Sequence, residues 1–382
     1  MEISKRVQHI APSGIRAFFD LVLGMKDVIS LGVGEPDFVT PWSIREKAIY
    51  AIEKGYTSYT SNKGMIELRR EIAHFLKQRH GLSYDPEDEI LITVGVSEAF
   101  DLAARAITNP GDKILVLEPS YVSYFPVFYL AGGRPIYLKT NINNGFKLTP
   151  QQLEESCDKN TKTLVINYPS NPTGVSYSKK ELLEFSKIVK KRKLTVVSDE
   201  VYDELTYDFS HTPFATLPGM KSRTVYLNGF SKAYAMTGFR IGYACGPKKI
   251  ISGMTKIHQY TMLCASIISQ LAAFEALQNG MKSAMQMKKE YKRRRELIVD
   301  GLNRLGLSCH KPEGAFYVFP SIKNTGYKSM DFAMKLLKKK KVAVVPGTAF
   351  GPSGEGYVRM SYASSFDNLK EAILRISDFL KR

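Results

Sequence analysis

Short apolar runs alternate with longer amphipathic stretches through the middle of this chain. The apolar runs predict strands at Ile90–Val94, Ile114–Leu117, Thr163–Asn167, Leu194–Ser198 and Thr224–Leu227. The stretches between them predict helices at Ser97–Ala106, Val122–Leu130 and Lys179–Lys191. The predicted strands are apolar throughout, as is typical of strands buried on both faces. This alternation indicates an α/β fold whose mostly parallel sheet is covered by helices.

The pattern changes on both sides of this region. Helices are predicted before it at Gly14–Leu23 (capped by Ser13), Pro41–Lys54 and Glu67–Arg79. After it we expect a helical region at Lys248–Gln278, a long helix at Met281–Leu305, strands at Ala315–Phe319, Val342–Val345 and Tyr357–Tyr362, and a helix at Asp367–Leu380. A chain of 382 residues exceeds one typical core. We therefore expect a large domain at 46–284 and a smaller α+β domain built from 1–45 and 285–382.

Composition and charge narrow the possible functions. The 44% hydrophobic and 24% charged residues are ordinary for a globular protein. The net charge of +17 raises the possibility of nucleic-acid or membrane-surface binding. However, two of the basic runs, Lys187–Lys193 and Lys338–Lys341, close predicted helices, where cations favour the dipole. No aromatic residues alternate with the charges. We expect a lysine-rich solvated surface without a nucleic-acid partner.

The sequence shows neither a membrane or targeting segment nor a motif for metal binding. No apolar run approaches the length that spans a bilayer, and no apolar segment follows Met1–Arg6. The scattered cysteines form no Cys-x-x-Cys pair, and the histidines form no His-Glu-x-x-His motif. We expect a cytoplasmic protein that has no membrane partner, structural disulfide or metal site.

The stretch Gly229–Gly242 carries the most informative chemistry. Lys232 follows a predicted strand in a tight turn, where its amine can form a Schiff base if it is shielded from water and near other cations. Ser231 and Arg240 could bind an anionic group, and arginine suits phosphate. These residues together indicate an aldehyde cofactor that carries a phosphate, which pyridoxal phosphate fits. The alternative is an exposed surface lysine.

The pattern Gly-Phe-Ser-Lys-x-x-Ala-Met-x-Gly-x-Arg-Ile-Gly resembles the cofactor-attachment signature of class I aminotransferases of fold type I. From about Ser13 onward the chain is similar to the subgroup of aromatic, aspartate and N-acetyl-diaminopimelate aminotransferases. The resemblance implies a fold-type-I pyridoxal-phosphate enzyme and a homodimer.

Three further stretches lie where predicted strands end, and the resemblance gives each a cofactor contact. At the helix start Gly95–Ala99 it assigns Val96 and Ser97 to the cofactor phosphate, although serine is also an ordinary helix cap. It places Tyr121 over the cofactor ring, where the alternative is a packed core aromatic. In Asn-Pro-Thr-Gly it assigns Asn171 to the cofactor's phenolic oxygen and to substrate binding, where the alternative is an irregular loop.

Two more cofactor contacts follow the predicted strand Leu194–Ser198. A carboxylate at Asp199 that faces the pyridine nitrogen would keep that nitrogen protonated, as an electron sink requires, although a helix cap is the alternative. The resemblance assigns that role to Asp199 and a phenolic-oxygen contact to Tyr202.

The substrate contacts are implied at two positions and a subunit contact at a third. Gly34 lies in a glycine- and proline-rich turn that the resemblance places against the substrate carboxylate. Arg359 lies in an apolar strand and needs an acidic partner, either a structural carboxylate or, by the resemblance, the substrate α-carboxylate. The resemblance also implies that Tyr59 reaches the neighbouring subunit's cofactor phosphate, which gives composite sites with two-fold symmetry.

The function implied is transfer of an amino group from an L-amino acid to a 2-oxo acid such as 2-oxoglutarate by ping-pong kinetics, with Lys232 moving the proton. A β-lyase, a carbon–carbon synthase and a non-catalytic binding protein are the alternatives, because a fold does not fix the reaction.

The preferred amino donor depends on the charge of the part of the pocket that would hold the substrate side chain, here called the distal pocket. Tyr260–Ser266 contains no arginine, and Ser97 stands where some relatives carry lysine; only Lys63 could add a positive charge. A neutral pocket favours aromatic or other bulky neutral donors over aspartate. N-acetyl-LL-diaminopimelate is the main competitor, because the segments His258–Tyr260, Cys264–Ser266 and Gly314–Tyr317 resemble those of its aminotransferases.

Overall fold

The computed structural model describes residues 2–12, 14, 15 and 24–381. The α-helices within these residues are Lys5–Gln8, Trp42–Glu53, Ile66–His80, Gly95–Ile107, Tyr124–Leu130, Pro150–Ser156, Lys179–Arg192, Lys248–Thr261, Ile267–Asn279, Met281–Arg304, Ser329–Lys340 and Phe366–Leu380. The predicted helix Gly14–Leu23 and its Ser13 cap fall mostly outside the described residues.

The central sheet has seven strands in the described part of the chain. They are β2 (Ile90–Thr93), β3 (Lys113–Glu118), β4 (Arg134–Lys139), β5 (Thr161–Asn167), β6 (Thr195–Asp199), β7 (Thr224–Gly229) and β8 (Gly242–Cys245). Their spatial order is β2-β8-β7-β6-β5-β3-β4. Among these seven described strands, β8 alone runs in the direction opposite to the others. The prediction of an α/β fold with a mostly parallel sheet is confirmed.

The shorter strands connect the two ends of the chain. They are β1 (Ile29–Ser30), β9 (Tyr317–Val318), β10 (Val342–Ala343), β11 (Val345–Pro346) and β12 (Val358–Ser361). β1 pairs in parallel with β10, and β12 lies between β11 and β9. The N-terminal segment thereby joins the C-terminal part, which packs around its own buried core of residues such as Ile298, Phe332 and Leu369. The domain division at 46–284 stays a prediction.

Several elements differ from the sequence-based expectations. The structure adds strands β1, β4 and β8 and the helices Lys5–Gln8 and Pro150–Ser156. It divides the predicted Lys248–Gln278 region into two helices and the predicted strand Val342–Val345 into β10 and β11. β4 is an edge strand that bonds only to β3, which explains how it accommodates Pro135 and alternating polar positions. The break between the two helices includes Leu263, whose positive φ of 67° interrupts the helical path.

Two apolar layers cover the sheet. Residues such as Val116 and Val197 point towards the Gly95–Ile107 helix, and Leu164 and Val196 pack with Phe185 of the Lys179–Arg192 helix. The carboxyl ends of the parallel strands are therefore held at one edge of a rigid sheet. In the described part of the chain, every helix is too short or too polar to cross a bilayer.

Candidate active site

A cavity of about 1160 Å³ lies at the carboxyl ends of the parallel strands. All of the site residues predicted from the sequence line it except Tyr59: Gly34, Val96, Ser97, Tyr121, Asn171, Asp199, Tyr202, Ser231, Lys232, Arg240 and Arg359. The structure brings together side chains that are far apart in the sequence, and ligands of open α/β sheets bind at this edge.

Strand register explains this convergence. Asn167 at the end of β5 is paired with Asp199 at the end of β6, and Asp199 is paired with Leu227 of β7. The Asn167 side chain donates to the Asp199 backbone carbonyl at 2.9 Å and accepts from the Asn171 amide at 3.0 Å. Asn167, which the sequence analysis did not single out, thus fixes the loop that carries Asn171.

One corner of the cavity is suited to an anion. The Gly95–Ile107 helix begins here, and its first free amides give a partial positive charge. A β-carbon at Gly242 would lie 2.8 Å from the Val96 nitrogen, so only glycine lets β8 approach this helix start. The Arg240 guanidinium lies beside Gly95, held by a left-handed backbone (φ 50°) that is costly for arginine.

Lys232 lies at the floor of the cavity. Its amine donates to the Gly34 carbonyl at 2.7 Å. Burial away from water lowers the pKa of Lys232 from 10.5 to about 8, and the positive charges of Arg359 and Arg240 act in the same direction. About a tenth of this amine is therefore neutral and nucleophilic at pH 7, far more than for a surface lysine with the ordinary pKa of 10.5.

Asp199 is a buried carboxylate with two donors. Tyr124 donates its hydroxyl to one carboxylate oxygen at 2.6 Å, and the Val201 amide donates to the other at 3.2 Å. Burial raises the pKa of Asp199 from 3.8 to about 6, although the Tyr124 hydrogen bond lowers it. Tyr124 was not among the predicted site residues, because its contact is with another side chain and the sequence alone does not place it beside Asp199.

Arg359 is a buried cation with no carboxylate partner among the described residues. Its guanidinium donates to the Asn171 side chain at 3.0 Å and to the Gly32 carbonyl, and no described residue accepts a hydrogen bond from its Nε. Burial lowers the pKa of Arg359. Since an unpaired buried charge is costly, this arrangement suits an incoming carboxylate and not a structural ion pair.

Tyr59 and Lys63 lie on a loop away from this cavity. Tyr59 is 82% exposed. The Lys63 amine donates to the Glu87 carbonyl at 2.6 Å and to the Asp88 carboxylate at 3.0 Å. Lys63 therefore adds no positive charge to the cavity of this chain.

A separate buried group combines His80, Asp203 and Glu204, whose potential ligand atoms lie within 4.8 Å of one another. Arg79 holds both Glu204 oxygens at 2.7 and 2.8 Å, and Asn228 donates to Asp203 at 2.7 Å. The carboxylates already have strong partners, so the group stabilises the packing of the Ile66–His80 helix against the loop after β6.

The fold places this cavity where α/β enzymes with a mostly parallel sheet bind their ligands. Residues 26–376 match the model of the family described as aminotransferase class I and II. The chain belongs to this family and is an aminotransferase.

Known relatives extend over the whole chain. A Bacillus subtilis protein provisionally named aminotransferase YugH is 53% identical over 100% of this chain and 98% of its own. An aspartate aminotransferase of Pyrococcus abyssi is 45% identical over 100% of this chain and 99% of its own. The crystal structure of an aromatic aminotransferase from Pyrococcus horikoshii covers 96% of this chain and 98% of its own, with a TM-score of 0.91 and 44% identity. The relatives differ in named substrate, so they leave the donor open.

Proposed function

We propose that the cavity binds pyridoxal phosphate and that the enzyme transfers an amino group from a bulky neutral L-amino acid to 2-oxoglutarate. The observation that carries the proposal is a set of three groups on one cavity that have no ion-pair partner among the described residues: the half-buried Lys232 amine, the buried Asp199 carboxylate and the buried Arg359 guanidinium. Each is costly in an empty protein and useful opposite a group of complementary charge.

The residues fit this cofactor at each of its functional groups. The helix start at Val96 and Ser97, together with Ser231 and Arg240, would hold the phosphate. Asp199 would face the ring nitrogen, Tyr121 would stack on the ring, and Asn171 and Tyr202 would contact the phenolic oxygen. Bound there, the cofactor supplies an electron sink for a carbanion at the substrate α-carbon.

Residues of this chain would bind the substrate carboxylate, keep the ring nitrogen protonated and transfer the α-proton. Arg359 binds the α-carboxylate, which satisfies its free Nε, while Gly34 lets that carboxylate approach the backbone. Asp199 holds a proton on the ring nitrogen. Lys232 removes the α-proton and returns a proton as the general acid, a role that suits its lowered pKa.

The donor preference rests on the charges of the cavity. Among the described lining residues the cations are Lys232, Arg240 and Arg359, and each has a role in the proposal. Apolar side chains such as Ile15, Val122 and Val127 line the remainder. A side-chain carboxylate would lack a partner there, which favours aromatic donors. Aspartate and N-acetyl-LL-diaminopimelate remain the alternatives, and the cytoplasmic location stays a prediction.

We further infer a homodimer with composite sites. Several large apolar side chains are exposed in the single chain, including Trp42 (57%), Ile52 (59%), Tyr59 (82%) and Tyr260 (86%). Such exposure is typical of a surface that another subunit covers. In this dimer Tyr59 would contact the partner's cofactor phosphate. Mixing Lys232→Ala chains with Tyr59→Ala chains should restore activity, because each heterodimer keeps one intact site; no recovery after verified subunit exchange would contradict the shared site.

The deciding experiment is spectroscopic and kinetic. Purified protein should absorb as a lysine-bound pyridoxal species, and borohydride should fix the label on Lys232; the Lys232→Ala protein should show neither effect, whereas Lys63→Ala should behave as the wild type. A colourless wild type without a reducible adduct would refute the cofactor. A donor panel with 2-oxoglutarate follows, in which a tenfold preference for aspartate over phenylalanine in kcat/KM, about 1.4 kcal/mol, would refute the neutral pocket. Equal yields of keto acid and new amino acid would separate transfer from a β-lyase.

A further inference from the structure

Tyr317 contacts two of the proposed functional groups at once. Its hydroxyl lies 2.8 Å from the Tyr202 hydroxyl, and its ring centre lies 4.6 Å from the Arg359 guanidinium carbon. Tyr317 is 1% exposed and lines the cavity. A β-carbon at Gly34 would lie 2.7 Å from its hydroxyl, so this phenol also limits the space beside Gly34.

If Tyr202 donates a hydrogen bond to the cofactor, the donor in the contact between the Tyr317 and Tyr202 hydroxyls is determined. A phenol has one proton to donate. If Tyr202 donates its proton to the phenolic oxygen of the cofactor, the proton between the two tyrosines must come from Tyr317. A donor to the Tyr202 oxygen polarises that hydroxyl and strengthens the bond which Tyr202 itself donates.

The ring contact acts on the other group. Arg359 lies between the faces of Tyr317 at 4.6 Å and Phe350 at 4.9 Å. Its only hydrogen-bond acceptors among the described residues are Asn171 and Gly32. The two aromatic faces stabilise the unpaired cation and restrict the plane of its fork, which a bidentate carboxylate requires.

We propose that Tyr317 is a positioning residue that couples the two halves of the site: its hydroxyl tunes Tyr202, and its ring orients Arg359 for the substrate carboxylate. The proposal rests on the proposed function, since it needs a bound pyridoxal cofactor and a carboxylate substrate. Two substitutions separate the effects. Tyr317→Phe removes only the hydroxyl, and Tyr317→Leu also removes the aromatic face.

The first test is the pH at which the absorbance of the bound cofactor changes. Tyr317→Phe should shift this midpoint in the same direction as Tyr202→Phe, by a smaller amount of up to about 1 pH unit, as expected for one hydrogen bond. In the Tyr202→Phe background, Tyr317→Phe should add no shift, because the acceptor of its proton is gone. Additive shifts would overturn the coupling through Tyr202.

The second test is binding of 3-phenylpropionate, a carboxylate without an amino group, to the holoenzyme. Tyr317→Phe should change its dissociation constant by less than about twofold, whereas Tyr317→Leu should weaken binding roughly threefold to tenfold, as expected for a lost cation–π contact. Equal binding by the two variants would overturn the role of the ring.

A matched control is Tyr357→Phe. Tyr357 is also buried, and its hydroxyl has no hydrogen-bond partner among the described residues and lies outside the cavity lining. The Tyr357→Phe substitution should alter neither the pH midpoint nor the binding of 3-phenylpropionate. If it changes the midpoint as much as Tyr317→Phe does, the proposal is overturned. The outcomes also separate the two proposals: a wild type that binds no chromophore refutes the proposed function, whereas a titrating wild type with an unaffected Tyr317→Phe variant refutes only the role of Tyr317.

Discussion

The Asp199 carboxylate should destabilise the cofactor-free protein at neutral pH, and its replacement by the isosteric amide should reveal the cost. Burial raises the pKa of Asp199 in the folded protein from 3.8 to about 6. Between these values the folded state binds more protons than the unfolded state, so this group's contribution to stability falls as pH rises and levels off above about 6. The full penalty is roughly 3 kcal/mol, at about 1.4 kcal/mol for each unit of pKa.

The Asp199→Asn variant removes this titration while it can keep both hydrogen bonds. Its amide oxygen can accept from the Val201 amide, and its nitrogen can donate to the Tyr124 hydroxyl. Relative to wild type, the variant should gain about 1.6 kcal/mol at pH 5 and about 3 kcal/mol at pH 8. Any effect of the amide on stability that does not depend on pH is the same at both pH values and cancels in their difference. That difference should be about 1.4 kcal/mol.

Urea unfolding of the cofactor-free proteins at one fixed subunit concentration measures this difference. Asp208→Asn is the matched control, because ion pairing with Arg295 lowers the pKa of Asp208 to about 2. Both its folded and unfolded values lie below pH 5, so its effect should be the same at the two pH values. If Asp199→Asn shifts stability equally at pH 5 and pH 8, the raised pKa and the reasoning from burial are wrong.

Three further predictions address the other charged groups. Arg359→Gln should raise KM for both amino and oxo acids by roughly 10- to 150-fold, the loss of a charged hydrogen-bonded partner, while the absorbance of the bound cofactor stays unchanged; unchanged KM values would exclude the carboxylate role. Lys63→Ala should leave the phenylalanine-to-aspartate ratio of kcat/KM within about twofold, since its amine is bound to Asp88; a larger change would bring Lys63 into the site. The rate at which pyridoxal phosphate attaches to the cofactor-free protein should rise with pH around a midpoint of about 8, as the Lys232 amine loses its proton; stopped-flow absorbance that gives a midpoint near 10 would contradict the burial of this lysine.

Most of the fold followed from the apolar runs, because strands buried on both faces leave an uninterrupted apolar signature. Among the strands that escaped prediction, β4 lies at an edge of the central sheet: it begins with Arg134 and Pro135 and bonds on one side only. Its pattern carries no such signature, since its outer side needs neither an apolar face nor a complete set of donors.

The residues of the cavity could be predicted where the proposed function gives a side chain a contact of its own with a ligand, as for Lys232 and Arg359. Tyr124, Asn167 and Tyr317 could not, because their contacts are with other side chains or with the backbone. Such contacts depend on strand register and helix placement, which a single sequence does not determine. These positions become visible only when the fold brings Tyr124 to Asp199 and Tyr317 to Arg359.

The charges of the cavity also explain why the site requires so many supporting residues. Asp199 and Arg359 are buried charges that find no opposite charge at hydrogen-bonding distance within the described chain. A buried unpaired charge tends to neutralise or to draw in water. Hydrogen bonds from Tyr124 and Val201 to the acid, and from the guanidinium to Asn171 and Gly32, keep these groups charged and oriented before a ligand arrives. Under the proposed function, the free energy held in the unpaired charges would be available to bind the cofactor nitrogen and the substrate carboxylate, which is why Asp199→Asn should stabilise the empty protein and impair the enzyme.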